Sequence, residues 1–153
     1  MKKPIVLFIE LKISAKNKYI CDITEKLFHN DIPVSIYTKN SSSQIDGLLW
    51  TWKQESFVPH KVFNLESADS LEPVTIFDNP DMLPGRDALI LGEPLPVEEL
   101  QKYKLIIDFA EIYHSEKKAE SRLRYKKMRD SDIFDIHFTQ LGAILARKSI
   151  SLN

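Results

Sequence analysis

Ile5-Val6-Leu7-Phe8-Ile9 is an unbroken run of five large apolar side chains, with no polar residue in alternate positions. Successive side chains of a strand point to opposite faces, so such a strand is apolar on both sides and needs cover on both. A parallel sheet sandwiched between helices supplies that cover. From Ser14 the period changes. Ile20, Ile23 and Leu27 recur at i, i+3, i+7 among Lys16, Lys18, Asp22, Glu25 and Lys26, which predicts an amphipathic helix over residues 15–29. Asn30-Asp31 is a stop signal, and residues 33–37 read as a second strand. Strand, helix, strand opens a parallel α/β sheet.

The alternation continues along the chain. Ser41-Ser42-Ser43 offers N-caps for a short helix through Ile45, Leu48, Leu49 and Trp52. Val62-Phe63 and residues 73–77, 88–91 and 105–109 read as strands, with one or two helical turns over 97–103. Ser115 is expected to cap a helix running to about Arg129, and residues 134–138 alternate as a last strand. No repeat or linker divides the chain, and 153 residues suit one domain over 1–153. The expected fold is a three-layer α/β/α domain with a mainly parallel sheet. Residues 140–153 carry no pattern that places them and would suit a flexible end.

Several functions are excluded early. With 21 basic against 22 acidic side chains, no global field holds a polyanion, so nucleic-acid binding would need a local patch. A single cysteine, Cys21, permits neither an internal disulfide nor a Cys-rich zinc module. Its place among the apolar positions of the first helix reads as a buried structural thiol. No run of 18 apolar residues occurs, and the chain reads as soluble and cytoplasmic. Open parallel sheets commonly bind phosphates on a glycine-rich first loop, yet residues 10–16 contain no glycine. The glycines at 47, 85, 92 and 142 are isolated and no Walker lysine follows. No nucleotide or other cofactor is expected.

The histidines at 29, 60, 114 and 137 show no i, i+4 pair, and no metal site is expected. Asp108, Glu111 and His114 end an apolar strand, where α/β active sites often lie. They could work as acid and base or as a carboxylate-histidine metal pair, but the reading preferred from sequence is ordinary solvated loop residues. No Gly-x-Ser-x-Gly elbow occurs, and no catalytic residue is assigned.

Two segments stand apart from generic scaffold. In Leu48-Leu49-Trp50-Thr51-Trp52, the two tryptophans point about 200° apart on a helix and cannot share one core. Phe57 and the proline-stiffened Val58-Pro59-His60 follow. An exposed aromatic beside a stiff loop suits a partner protein, and packing of all three onto the sheet is the other reading. The second segment, residues 115–130, holds seven basic side chains against three acidic. Lys118, Arg122, Tyr125, Lys126 and Arg129 share one side at helical spacing, while Ala119 and Leu123 form the side expected to pack. Cations around one aromatic ring suit an acidic ligand carrying an apolar group, a phosphate backbone with a stacked base, or simply water.

At these same residues the sequence resembles the chi subunit family of bacterial DNA polymerase III. The resemblance rests on Leu49-Trp50 and the Ser-Phe-Val-Pro-His stretch at 56–60, followed in order by Pro73-Val-Thr-Ile, Arg86-Asp87-Ala-Leu-Ile and Ile107-Asp108-Phe109. It is completed by an Arg-x-Arg-Tyr-Lys motif at 122–126. It implies a Rossmann-like fold without nucleotide and a non-catalytic replication adaptor. The implied partners are the acidic, phenylalanine-ending tail of single-stranded-DNA-binding protein and the psi subunit of the clamp loader, or alternatively an XPD-related helicase. Carried over by motif, Lys118, Arg122, Tyr125 and Lys126 would bind the tail. Trp50, Trp52 and Phe57 would face psi or the helicase. The chain departs from the pattern at Ala110-Glu111, where an apolar-proline pair is common, at the extra Trp52, and after Ile133. Two further readings are a single-stranded nucleic-acid binder using the 117–129 helix and, last, a small hydrolase around Asp108, Glu111 and His114.

Overall fold

The structure, a computed structural model, describes residues 3–51, 58–64, 72–148 and 150. In chain order the elements are β1 (Ile5–Leu11), α1 (Lys16–His29), β2 (Val34–Tyr37), α2 (Ser42–Thr51), β3 (His60–Val62) and β4 (Val74–Phe77). A 3₁₀ turn (Pro80–Met82) precedes β5 (Ala88–Leu91), α3 (Val97–Leu100), β6 (Leu105–Glu111), α4 (Ser115–Ser131), β7 (Asp135–Gln140) and α5 (Leu141–Leu145). The strands form one sheet in the order β3-β4-β2-β5-β6-β1-β7, and every pairing in it is parallel. This is the three-layer α/β/α, Rossmann-like architecture expected from the apolar runs.

Strand alternation sorts the core into two layers. Leu7, Ile9 and Leu11 of β1 and Leu105, Ile107 and Phe109 of β6 pack with Ile20, Ile23 and Leu27 of α1, Ile45 and Leu49 of α2, and Ile144 of α5. On the other face, Val6, Phe8, Ile106 and Ala110 pack with Met128 of α4, Leu100, Tyr103 and Phe134. At position 108 the apolar alternation of β6 is broken on the α4 side by a buried aspartate.

The end of α1 ties down the far end of the chain. Asp31 takes a left-handed conformation (φ 59°) that stops the helix. The Asn30 side-chain amide donates to the Lys26 carbonyl (2.7 Å), and its oxygen accepts from the Ile150 N–H (2.7 Å). Residues 141–145, for which the sequence offered no pattern, form α5 against α1. Gly92 has a steric reason: a Cβ there would lie 2.8 Å from the Tyr37 carbonyl oxygen. The helix start at 115 differs from expectation. His114, still extended, supplies the cap by accepting from the Lys117 N–H at 3.4 Å, and Ser115 is already helical.

Cys21 is fully buried in α1. Burial, helped by the neighbouring Asp22 charge, pushes its thiol up to about 12. The native protein should therefore resist thiol reagents at pH 8 and react with one equivalent only when unfolded in guanidinium. An unfolded thiol releases its proton near 9.0 and the folded one near 12, so this group's contribution to stability is complete below pH 9 and lost as pH rises above it. Urea titrations across that range should show the fall, and a Cys21→Ala chain should lose this part of the pH dependence.

Candidate functional site

α4 sits on β6 through a polar seam. The Arg124 guanidinium forks onto Asp108, with Nε 3.1 Å from Oδ2 and a terminal nitrogen 3.3 Å from Oδ1, and that nitrogen also donates to the Phe109 carbonyl at 3.0 Å. One turn earlier, the Ser121 hydroxyl accepts from the Glu111 N–H (3.1 Å) and donates to the Lys117 carbonyl (2.7 Å). Met128 completes the seam as its one fully apolar contact. Residues 121, 124 and 128 thus follow the i, i+3, i+7 spacing of an apolar stripe with polar side chains at two of three positions. The sequence expectation that Ala119 and Leu123 pack is therefore corrected. Both are exposed, Leu123 to 60%, because the Asp108–Arg124 pair selects the other side of the helix.

That docking turns the neighbouring side of α4 toward a groove of about 430 Å³, within the ordinary range for ligand pockets of roughly 300–1,000 Å³. Lys118, Arg122, Tyr125, Lys126 and Arg129 line it from the helix, and Phe8, Ala110, Ile112 and Phe138 from the sheet side. The Tyr125 ring meets Phe8 edge-on, centroids 5.7 Å apart at 76°. All four residues expected from sequence to share a ligand, Lys118, Arg122, Tyr125 and Lys126, meet here. Phe138 was missed, although the Ile136-x-Phe138 alternation carried the signal for it.

The cations of α4 divide by partner. Lys117 lies near Glu111 and Tyr113 (4.0 and 3.4 Å), and its ammonium is held above the usual lysine range, chiefly by the Tyr113 hydroxyl. Arg124 is committed to Asp108, and Arg129 lies 3.3 Å from Asp130. Lys118, Arg122 and Lys126 pair with no carboxylate among the described residues, so the groove carries uncompensated positive charge beside an apolar floor.

The other sequence candidates fall elsewhere. Trp50 lies on α2, 58% exposed, with its ring 4.6 Å from that of His60. The buried His60 is held by the Val58 carbonyl at Nδ1 (2.7 Å) and by Asp46 at Nε2 (3.2 Å). Trp52 and Phe57 lie outside the described residues. Asp108, Glu111 and His114 serve three different partners: Arg124, Lys16 (3.1 Å) and the start of α4. The crevice at the carboxyl ends of β1, β5 and β6 is crossed by Lys16, whose ammonium also donates to the Gly92 carbonyl at 2.8 Å. Among the described residues, no group of three metal-ligating side chains converges and no helix is long and apolar enough to cross a membrane.

A family model described as "DNA polymerase III chi subunit, HolC" matches residues 3–134. The chain belongs to this family. No curated protein matches it. Members are accessory, non-catalytic subunits, so this chi-family chain has a replication accessory role with protein partners in the polymerase III complex. The match spans β1 through α4, including the Trp50 surface and the α4 side of the cationic groove, and ends just before β7.

Within the Arg-x-Arg-Tyr-Lys motif the two arginines should behave oppositely. Asp108→Ala, which strands the Arg124 charge, is expected to cost about 3 kcal/mol in urea denaturation, and Arg124→Ala a comparable amount. Arg122→Ala, on the exposed side, should change stability by no more than about 0.5 kcal/mol.

Proposed function

We propose that this chain is a non-catalytic adaptor that joins the clamp loader, through psi, to the acidic C-terminal tail of single-stranded-DNA-binding protein in the bacterial cytoplasm. The observation that carries the proposal is the groove under α4, where three cations with no carboxylate partner among the described residues border an apolar, aromatic-lined floor. A tail ending in Asp-Phe brings matching chemistry. Arg122 takes the terminal carboxylate as a two-pronged donor, a geometry that lysine does not offer. Lys118 and Lys126 attract the aspartates, and Tyr125 flanks the terminal ring.

Psi docks on the Trp50 surface, with an XPD-related helicase as the alternative occupant. α2 packs in the α1 layer beside β3 and β4, whereas α4 lies on the opposite face over β6. Two partners can therefore bind at once. Tethering raises the effective concentration of the polymerase at coated template, so each contact can be weak alone.

Fluorescence anisotropy with a labelled acidic peptide ending in Asp-Phe tests the tail site. Saturable binding is expected, weakening with salt because exposed charges supply much of it, and falling roughly 10-fold or more with Arg122→Ala. Failure to bind the peptide, together with salt-sensitive binding of a single-stranded oligonucleotide, would replace this reading with direct nucleic-acid binding by the 117–129 helix.

A further inference from the structure

We infer that Phe138 is a specificity-determining residue of the groove: its ring and that of Tyr125 enclose the apolar side chain that ends the acidic ligand. The inference rests on the tail-site reading above and names the residue that would select the last side chain. β7 is an edge strand, and in-register pairing sets Phe138 opposite Phe8. That register places Phe138 on the α4 side of the sheet together with Val6 and Phe8 of the second core layer. Ile136, two residues earlier on the same face, packs against that layer. Phe138 does not: it remains 57% exposed and lines the groove opposite the α4 cations.

An uncovered aromatic on an edge strand is a liability that edges usually avoid with charge. Here it has a defined surrounding. Phe8 and Tyr125 already meet edge-on, and Phe138 extends this aromatic lining toward the open side. Lys118, Arg122 and Lys126, unpaired among the described residues, hold the charged end of a ligand in place. The occupant with this pairing of features is an acidic peptide whose last residue is aromatic and whose carboxylate is free. β7 begins at Asp135, beyond the stretch matched by the family model, so this wall is contributed by a part of the chain outside the family match.

The test compares two labelled acidic peptides that differ only in ending with Phe or Ala, each with a free carboxylate, against the full wild-type chain, Phe138→Ala, Phe138→Leu and Arg122→Ala. Wild type should prefer the Phe-ended peptide. Phe138→Ala should weaken that peptide about 5-fold, in line with loss of an aromatic contact, and leave the Ala-ended peptide unchanged, so that the preference collapses. Phe138→Leu should restore part of it, whereas Arg122→Ala should weaken both peptides. Thermal unfolding of Phe138→Ala should match wild type, since the ring is largely exposed. Wild-type binding with an undiminished preference in Phe138→Ala would overturn this assignment alone. No wild-type binding of either peptide would overturn the tail site and this assignment together.

Discussion

The Asp108–Arg124 ion pair decides how α4 lies on the sheet, and the candidate binding groove depends on that placement. A carboxylate inside an apolar strand is costly unless paired and hydrogen-bonded. Asp108 accepts both prongs of one guanidinium as well as the Phe109 N–H at 2.7 Å. Ser121 bonds to the same strand one turn away. These directional contacts specify the rotation of the helix more narrowly than apolar packing alone, because a turn of α4 about its axis would leave Asp108 buried and unpaired. With that rotation set, Lys118, Arg122, Tyr125, Lys126 and Arg129, which centre about 100° around the helix from the 121–124–128 seam, line the groove.

The same constraint separates two kinds of positive charge on one helix. Arg124 and Lys117 balance acidic groups of β6 and contribute to the fold, while Lys118, Arg122 and Lys126 remain available to a ligand. A near-neutral chain can thereby carry one local cationic site without a general affinity for polyanions. The Trp50 surface, on the opposite face of the sheet, is organised differently: an exposed ring rests on a buried histidine anchored by Asp46 and Val58. Two surfaces of unlike chemistry on opposite faces are what an adaptor between two unlike partners requires.

Much of the fold was legible because β1 and β6 are apolar on both faces, a pattern that a parallel, doubly covered sheet satisfies. The groove residues were legible as well, since Lys118, Arg122, Tyr125 and Lys126 follow helical spacing and the helix formed where expected. What could not be read was the packing side of α4. Asp108 resembles an end-of-strand active-site acid in sequence, and its partner is 16 residues away among seven basic side chains, so Leu123 looked like the better core residue. His114 took the capping place expected of Ser115 because the chain turns helical one residue sooner. α5 escaped notice because its docking depends on α1, over a hundred residues distant.

The central claim is that a helix fixed by Asp108–Arg124 presents an acidic-tail groove. It is tested most directly by amide and tryptophan-indole NMR of the full chain titrated with an unlabelled acidic peptide ending in Asp-Phe. The expected result is a saturable set of shifts along α4 from Lys118 to Arg129 and at Phe138, with the Trp50 indole unmoved. Shifts centred on Trp50 or on the Lys16–Glu111 crevice, with α4 silent, would contradict it.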